Sequence, residues 1–141
     1  MPIDLPPIVG IASVIDGDTI EIHGNRIRLY GIDAPESHQL CKSATGQDYR
    51  CGQVAALYLS DTLHNRTVIC NPTGRDRYQR VIARCFIGAV DIQAQMIATG
   101  HAVAFIRYSH QYVEQENAAR TAYYGVWQGV FEMPWDWRKV H

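Results

Sequence analysis

The chain is poor in the features of membrane proteins and of strongly basic nucleic-acid-binding proteins. No uncharged apolar run in its 141 residues approaches the roughly 20 residues that a helix needs to cross a bilayer. Only Lys42 and Lys139 are lysines, and the formal net charge is -1, so no overall positive field draws nucleic acid from a distance. We therefore expect no membrane span, and we expect any anionic substrate to be bound by local groups.

The basic residues that are present are nearly all arginine, which accounts for 11 of the 13. The planar guanidinium fork matches phosphate and carboxylate groups, whereas lysine is a mobile point charge. This bias favours oxyanion recognition. Taken alone, it is weak evidence for a function.

Four cysteines lack the spacing of a structural zinc site, because there is no CxxC pair and no histidine at zinc-finger spacing. Their spacing favours two disulfides, Cys41–Cys51 across a polar loop and Cys70–Cys85 between the strands of a predicted hairpin. Four reduced cysteines within the core are the alternative. Mass before and after thiol alkylation distinguishes the two states.

The redox state of the cysteines decides the expected compartment. Paired cysteines predict a periplasmic or secreted protein, and reduced cysteines predict a cytoplasmic one. Residues 1–7 lack the basic start and the apolar stretch of a signal peptide. If the disulfides form, we expect residue 1 not to be the start of the natural precursor.

Length and hydrophobic patterning predict one α+β domain over residues 1–141, with a core at about 8–130 and a tail at 131–141 that is packed or extended. Alternation predicts strands at 8–15, 19–23, 26–32, 67–70, 81–87 and 103–106, the first three forming an antiparallel meander. Helices are expected at 53–63, 92–99 and 112–124, with a long loop at 37–51. The pattern fits a five-stranded barrel of the oligonucleotide-binding type or an open sheet. We expect a monomer and infer no protein partner.

Acidic residues cluster at two predicted strand ends, in Asp16-Gly17-Asp18-Thr19 and in Asp33-Ala34-Pro35-Glu36. Hard oxygen donors of this kind suit Ca²⁺ or Mg²⁺. An EF-hand is excluded, because Glu21 and Ile27 stand where that loop needs glycine and glutamate. Plain turn chemistry is the alternative for Asp-Gly-Asp.

Longer strings resemble the staphylococcal nuclease (thermonuclease) family, whose signature is DGDT, R-L-x-x-x-D-x-P-E and D-x-Y-G-R. The matching blocks, in family order and at family spacing, are Val14-Ile15-Asp16-Gly17-Asp18-Thr19, Arg28-Leu29-Tyr30-Gly31-Ile32-Asp33-Ala34-Pro35-Glu36 and Asp76-Arg77-Tyr78-Gln79-Arg80. The resemblance covers roughly residues 8–130. It implies an oligonucleotide-binding barrel with three helices.

Site residues follow from the resemblance position by position. It implies one Ca²⁺ held by Asp18, Asp33 and the backbone carbonyl of Ala34. It implies Glu36 as the group that activates water, and Arg28 and Arg80 as the arginines that grip the scissile phosphate. The supporting positions around the metal are Asp16 and Thr19, and the nucleotide pocket is lined by Tyr78 and Tyr108.

The implied activity is calcium-dependent hydrolysis of DNA and RNA with little sequence preference, leaving 3′-phosphate ends. A non-catalytic module that binds nucleic acid or a protein is the alternative. Gln79 departs from the family glycine, which predicts loss of a positive φ there and an altered aim for Arg80. The cysteines and the ending Trp135-Asp136-Trp137-Arg138 resemble an exported bacterial branch of the family.

Several of these residues also have purely structural interpretations. Arg28 can form a salt bridge with Glu21 or Glu36, and Arg80 can cap the hairpin. Tyr78 and Tyr108 can be half-buried core residues. We expect the three tryptophans, Trp127, Trp135 and Trp137, to pack the C-terminal tail onto the rest of the chain.

Overall fold

The computed structural model describes residues 5–107 and 109–141. It contains eleven strands and four α-helices within those residues. The strands are β1 (Ile8–Ile11), β2 (Ser13–Asp16), β3 (Thr19–Ile22), β4 (Asn25–Leu29), β5 (Ile32–Asp33), β6 (Cys41–Lys42), β7 (Asp48–Tyr49), β8 (Thr67–Arg75), β9 (Val81–Ile87), β10 (Val90–Asp91) and β11 (Val103–Ala104). The helices are α1 (Cys51–Leu63), α2 (Ile92–Ala98), α3 (Val113–Ala122) and α4 (Pro134–Val140), with a 3₁₀ turn at Gly125–Gln128.

The main sheet curls into a barrel. Its strand order is β1-β8-β9-β4-β3-β2, and β10 pairs with β9. Only Ala12 separates β1 from β2, so the two ends of this path belong to one bent segment of chain. All pairs are antiparallel except β4 with β9. The predicted α+β fold with an oligonucleotide-binding type of barrel is confirmed.

Alternating side chains build the core inside this barrel. Ile20, Ile22, Ile27 and Leu29 are at most 1% exposed, and they come from every second position of β3 and β4. Arg28 lies between two of them and therefore points to the opposite face of β4. The strand period thus sends apolar groups inward and this guanidinium toward the outside of the barrel.

The capping residues in the sequence mark the boundaries of α2. The carboxylate of Asp91 accepts a hydrogen bond from the backbone N–H of Ala94 at 3.0 Å and caps α2, as predicted. Gly100 follows the helix with φ of 76°. The helix α3 spans Val113–Ala122, whereas 112–124 was expected. It ends early because Tyr123 adopts a left-handed backbone conformation, with φ of 59°.

Three expectations are wrong in detail. The strand β8 runs on through Pro72 and Gly74, which predicted a turn, because a bulge between them keeps the ladder with β9. The loop at 37–51 contains a short hairpin, in which Cys41 pairs with Tyr49. A fourth helix, α4, forms in the tail, where only three helices were expected in the chain.

Both predicted disulfides are present, and the alternative of reduced cysteines is wrong. Cys70 and Cys85 are directly paired residues of β8 and β9, with 4.0 Å between their Cα atoms. The second disulfide, Cys41–Cys51, joins β6 to the first residue of α1 with 5.7 Å between the Cα atoms. One disulfide therefore lies within the barrel, and the other attaches the loop at 37–51 to a helix.

The C-terminal tail is packed, not extended. Trp127 and Trp135 pack against a second apolar cluster of buried residues that includes Cys41, Cys51 and Val126, as expected. Trp137 instead stacks on His141 within the tail, with ring centroids 4.2 Å apart. Across residues 5–107 and 109–141, no helix has the length and apolar character to cross a membrane.

Candidate active site

A cleft of about 470 Å³ opens at one end of the barrel. Its walls come from the ends of β2 to β5, from the turn at 76–80 and from the tail. Charged side chains dominate the lining, and they are Asp16, Asp18, Arg28, Asp33, Glu36, Asp76, Arg77, Arg80 and Arg138. The structure therefore brings together the predicted carboxylates and both predicted arginines.

Two aspartates form the floor of the cleft. Asp18 precedes β3 and is 8% exposed, and Asp33 ends β5 and is 0% exposed. Arg28 lies between them, with its Nη1 3.4 Å from Oδ2 of Asp18 and its Nη2 3.5 Å from Oδ1 of Asp33. The alternative pairing of Arg28 with Glu21 or Glu36 is wrong.

Hydrogen bonds fix the carboxylate of Asp18. The backbone N–H of Ala34 donates to Oδ2 at 2.8 Å, and the hydroxyl of Thr19 donates to Oδ1 at 3.3 Å. The N–H of Asp18 itself donates to Oδ1 of Asp16 at 3.1 Å. The predicted supporting residues therefore surround Asp18 directly.

The two aspartates of the floor and the neighbouring Asp16 differ in pKa. Burial and the adjacent charge of Asp18 raise the pKa of Asp16 to about 7. Burial raises the pKa of Asp33 to about 6, although hydrogen bonds from Arg138 oppose this. Burial also disfavours the ionised form of Asp18, but Arg28 and the hydrogen bonds outweigh it and leave the pKa of Asp18 lowered. The floor has more potential negative charge than its buried surroundings readily accept.

This donor set fits a hard divalent cation. Asp18 and Asp33 supply carboxylate oxygens, which are the ligands that Ca²⁺ and Mg²⁺ prefer. The two carboxylates lie near each other, because both contact the guanidinium of Arg28. In the part of the chain that the structure describes, no group of three or more His, Cys, Asp or Glu side chains is placed to hold a metal. A cation on two carboxylates would therefore take further oxygen ligands from carbonyl groups, water or substrate.

Glu36 lies on the rim of the cleft, after Pro35. Its side chain is 32% exposed, and its Oε1 accepts a hydrogen bond from Nη1 of Arg138 at 2.6 Å. Its backbone N–H donates to Oε1 of the buried Gln39 at 3.1 Å. Gly52 of α1 lies against the carbonyl oxygen of Glu36 and leaves no room for a Cβ atom. The backbone of Glu36 is thus firmly held while its carboxylate reaches the cleft.

The turn at 76–80 positions Arg80. Oδ1 of Asp76 accepts hydrogen bonds from the N–H groups of Tyr78 and Arg80, and Oδ2 of Asp76 lies 2.6 Å from Nε of Arg80. Nη1 of Arg80 donates to the hydroxyl of Thr19 at 3.4 Å. Gln79 keeps a positive φ of 66°, so the expected loss of this conformation is wrong. Arg80 therefore both closes the hairpin and points into the cleft.

Tyr78 stands at the edge of the cleft and is 65% exposed. The guanidinium carbons of Arg77 and Arg80 lie 5.0 and 5.7 Å from its ring centre. The interpretation of Tyr78 as a half-buried core residue is therefore wrong. Tyr108, the other predicted pocket tyrosine, lies outside the described residues.

Comparison with known proteins identifies the family of the chain. The family model described as "Staphylococcal nuclease homologue" matches residues 26–129, which include Arg28, Asp33, Glu36 and Arg80. The chain belongs to the staphylococcal nuclease family. Asp16 and Asp18 precede the matched range, and the carboxylate of Asp18 accepts a hydrogen bond from the N–H of Ala34 within it.

Relatives within the staphylococcal nuclease family differ in length and in name. The chain is 48% identical over 99 residues to the succinoglycan biosynthesis protein ExoI of Rhizobium meliloti, which covers 69% of this chain and 52% of that protein. It is 31% identical over 137 residues to an uncharacterized endonuclease of Haemophilus influenzae, covering 92% of this chain and 71% of that protein. A probable staphylococcal-like nuclease of rice, CAN4, is 35% identical over 116 residues, covering 80% of this chain. The chain spans about half the length of the rhizobial relative and about a fifth of the rice one.

Arg138 also lines the cleft of this staphylococcal nuclease homologue, and the sequence did not predict it as a site residue. Arg138 of α4 donates from Nη1 and Nη2 to both carboxylate oxygens of Asp33, at 3.0 and 2.8 Å. The two residues are 105 positions apart. The sequence offered only the excess of arginine and the ending Trp135-Asp136-Trp137-Arg138, and neither places the tail on the cleft.

Proposed function

We propose that the chain is a calcium-dependent nuclease that hydrolyses phosphodiester bonds of DNA and RNA with little sequence preference and leaves 3′-phosphate ends. Membership of the staphylococcal nuclease family supports a nuclease. The observation that carries the finer proposal is the convergence of two aspartates, Glu36 and two arginines on one cleft. A non-catalytic module has no need of this complete set.

The substrate is an anion whose transition state has still more negative charge around phosphorus. Asp18 and Asp33 would hold the Ca²⁺, which would supply positive charge to offset the negative charge of the reacting phosphate. Arg28 and Arg80 direct N–H donors into the same cleft, where hydrogen bonds to phosphate oxygens strengthen as that charge grows. The arginines therefore bind the reacting phosphate and stabilise its transition state.

Glu36 takes the proton of the attacking water. Its carboxylate is partly exposed on the rim, three residues from Asp33, and its backbone is fixed by Gln39. Oxygen of the water bonds to phosphorus, the 5′ P–O bond breaks, and the leaving oxygen becomes a 5′-hydroxyl after taking up a proton. The two products are a 3′-phosphate and a 5′-hydroxyl end.

Cleavage of single-stranded DNA with Ca²⁺ and with chelator tests this proposal. Glu36→Gln should lower kcat by about 10²- to 10⁴-fold, as loss of a general base does. Arg28→Ala should lower kcat by about 10²- to 10³-fold, by analogy with loss of one oxyanion donor. Matched controls are Glu114→Gln on α3 and Arg26→Ala on β4, which should keep parental activity.

The outcome that contradicts the proposal is binding of the oligonucleotide without Ca²⁺-dependent cleavage by the parent protein. That result favours the non-catalytic module. The 5′- and 3′-end chemistry of the products, read by mass spectrometry, tests the position of the broken bond. The two disulfides support action in an oxidising compartment, such as the periplasm or the exterior of the cell.

A further inference from the structure

The C-terminal helix places a third guanidinium in the cleft. Arg138 donates to both oxygens of Asp33 at 3.0 and 2.8 Å and to Oε1 of Glu36 at 2.6 Å. Asp33 is completely buried, whereas the side chain of Arg138 is 41% exposed. One edge of the guanidinium therefore donates to Asp33 and Glu36, and the rest of the group borders the open cleft.

This position of Arg138 is built into the fold. We call residues 128–141 the C-terminal strap. Its carbonyl oxygens at Val130 and Glu132 accept hydrogen bonds from the backbone N–H of Lys42 and from Nε2 of Gln39, at 2.9 and 2.7 Å. Trp135 stacks on Phe105, with ring centroids 5.6 Å apart. Several independent contacts therefore bring Arg138 to the cleft.

The contacts of Arg138 involve the same carboxylate that the proposed function gives to a cation. Arg28 is 3.4 and 3.5 Å from the two aspartates, whereas Arg138 makes hydrogen bonds of 2.6 to 3.0 Å. A guanidinium and a divalent cation repel each other at short range and compete for one carboxylate. Arg138 is therefore the closer of the two guanidinium groups beside Asp33, and it also compensates the charge of Glu36.

We propose that Arg138 exchanges partners during the reaction, neutralising Asp33 and Glu36 in the free protein and binding the substrate phosphate once a divalent cation takes its place. This inference rests on the proposed function, because it needs the cation to bind Asp33. The ligand that Arg138 takes is a phosphodiester anion, which its planar fork matches. Release from Glu36 also frees that carboxylate to accept a proton.

The exchange makes opposite predictions for two ligands. Removing the charge of Arg138 should tighten binding of Ca²⁺, because a competitor is gone, and should weaken binding of the substrate, because a phosphate contact is gone. A merely structural role for Arg138 predicts that both become weaker. The signs of the two changes therefore separate the interpretations.

The experiment compares the parent protein with Arg138→Gln and with Lys139→Gln, which removes the same charge one residue along α4. Calorimetric titration with CaCl₂ alone should show about tenfold tighter binding in Arg138→Gln and parental binding in Lys139→Gln. At saturating Ca²⁺, the KM for a single-stranded oligonucleotide should rise about tenfold in Arg138→Gln. Arg138→Lys keeps the charge and should lie between, which gives the test a second variant if the glutamine variant does not fold.

Unchanged or weaker Ca²⁺ binding by folded Arg138→Gln overturns the exchange. An unchanged KM overturns the phosphate contact. If the parent protein itself neither binds Ca²⁺ nor cleaves the oligonucleotide, the proposed function fails and this inference fails with it. The first two results leave the nuclease assignment intact, so the failures are distinguishable.

Discussion

The two sides of the cleft are held in different ways. The barrel side belongs to or adjoins strands β2, β3, β4, β5 and β9, and it consists of Asp16, Asp18, Arg28, Asp33 and Arg80. The strap side consists of Glu36 and Arg138, which come from a loop and from the last helix. Strand ladders position the first group. The second group is held by side-chain hydrogen bonds, by one backbone hydrogen bond from Lys42 to Val130 and by the disulfide Cys41–Cys51.

This difference predicts different local stability within one site. Strand ladders and a packed core open only with global unfolding, whereas loops and terminal segments open at a lower free-energy cost. We therefore expect the barrel side to keep its arrangement in all states of the folded protein. We expect the strap side to move when ligands exchange.

The largest difference between the two sides should appear when one disulfide is removed at a time. Replacing Cys41 and Cys51 by serine, or Cys70 and Cys85 by serine, should each lower the free energy of unfolding by about 3 kcal/mol, because the two closed loops are similar in length. Only the first pair anchors the loop at 37–51, whose Gln39 and Lys42 hold the C-terminal strap in place. At a temperature where both variants are folded, it alone should lower cleavage, by about tenfold or more.

Urea denaturation measures the stability of both disulfide variants, and oligonucleotide cleavage measures their function. Each variant serves as the control for the other, since both lose two sulfur atoms from the core and one covalent link. Equal activity of the two folded variants would mean that the strap side does not depend on Cys41–Cys51. The arrangement of Glu36 and Arg138 would then need no covalent anchor.

A second prediction concerns the charge of the barrel side. The pKa values of Asp16 and Asp33, about 7 and about 6, lie above the ordinary value of 3.8. A carboxyl group with a raised pKa binds its proton more tightly in the folded state, so its stabilising contribution is present at low pH and is lost as the pH rises through the folded pKa. With chelator present, these groups should lower the free energy of unfolding by about 1–3 kcal/mol between about pH 5 and pH 8.

Thermal or urea unfolding at a series of pH values, with chelator and with Ca²⁺, checks this dependence. Asp16→Asn removes one of the two groups and should flatten the decline. Ca²⁺ should restore stability at high pH, because it compensates the ionised carboxylates. A stability that rises from pH 5 to pH 8 more steeply in the parent than in Asp16→Asn would contradict the sign.

The smallest expected effect lies at the hairpin tip on the barrel side. Gln79 has a φ of 66°, a conformation that costs a residue with a Cβ atom about 1–2 kcal/mol. Gln79→Gly should raise the free energy of unfolding by about 0.5–1 kcal/mol after the entropy cost of glycine. Gln79→Ala keeps the Cβ atom and is the control, with no gain expected.

Cleavage should not change in Gln79→Gly, because Asp76 holds Arg80 through its side chain and backbone. A loss of activity would show that the side chain of Gln79 helps to aim Arg80. Urea denaturation and cleavage on the same preparations give both results. If activity falls, the position of Arg80 depends on the side chain of Gln79 as well as on Asp76.

Local patterns predicted most of the barrel. Period-two alternation found the central strands, the Asp91 cap and Gly100 found the limits of α2, and cysteine spacing found both disulfides. Pro72 and Gly74 misled the prediction for β8, because a bulge satisfies the backbone around them in a way that composition does not reveal. Propensity gives the local preference, and the neighbouring strand overrides it.

The site was predictable where its residues lie within short motifs. Asp18, Arg28, Asp33 and Glu36 fall within 19 positions, and their motifs indicated one cleft. Arg138 was not predictable, because its contact with Asp33 depends on how the tail crosses the loop at 37–51. Such a contact has no periodic or spacing signal along the chain.

The parallel pairing of β4 with β9 sets the spacing between Arg28 and Arg80, the two arginines that we propose bind phosphate. Arg28 stands opposite Ile82 in this ladder, and Arg80 is the residue immediately before β9. One step of register moves a residue by about 3.3 Å along a strand, which is more than the tolerance of a hydrogen bond. A residue gained or lost between Arg80 and Ile82 would therefore move the two guanidinium groups out of reach of a common phosphate.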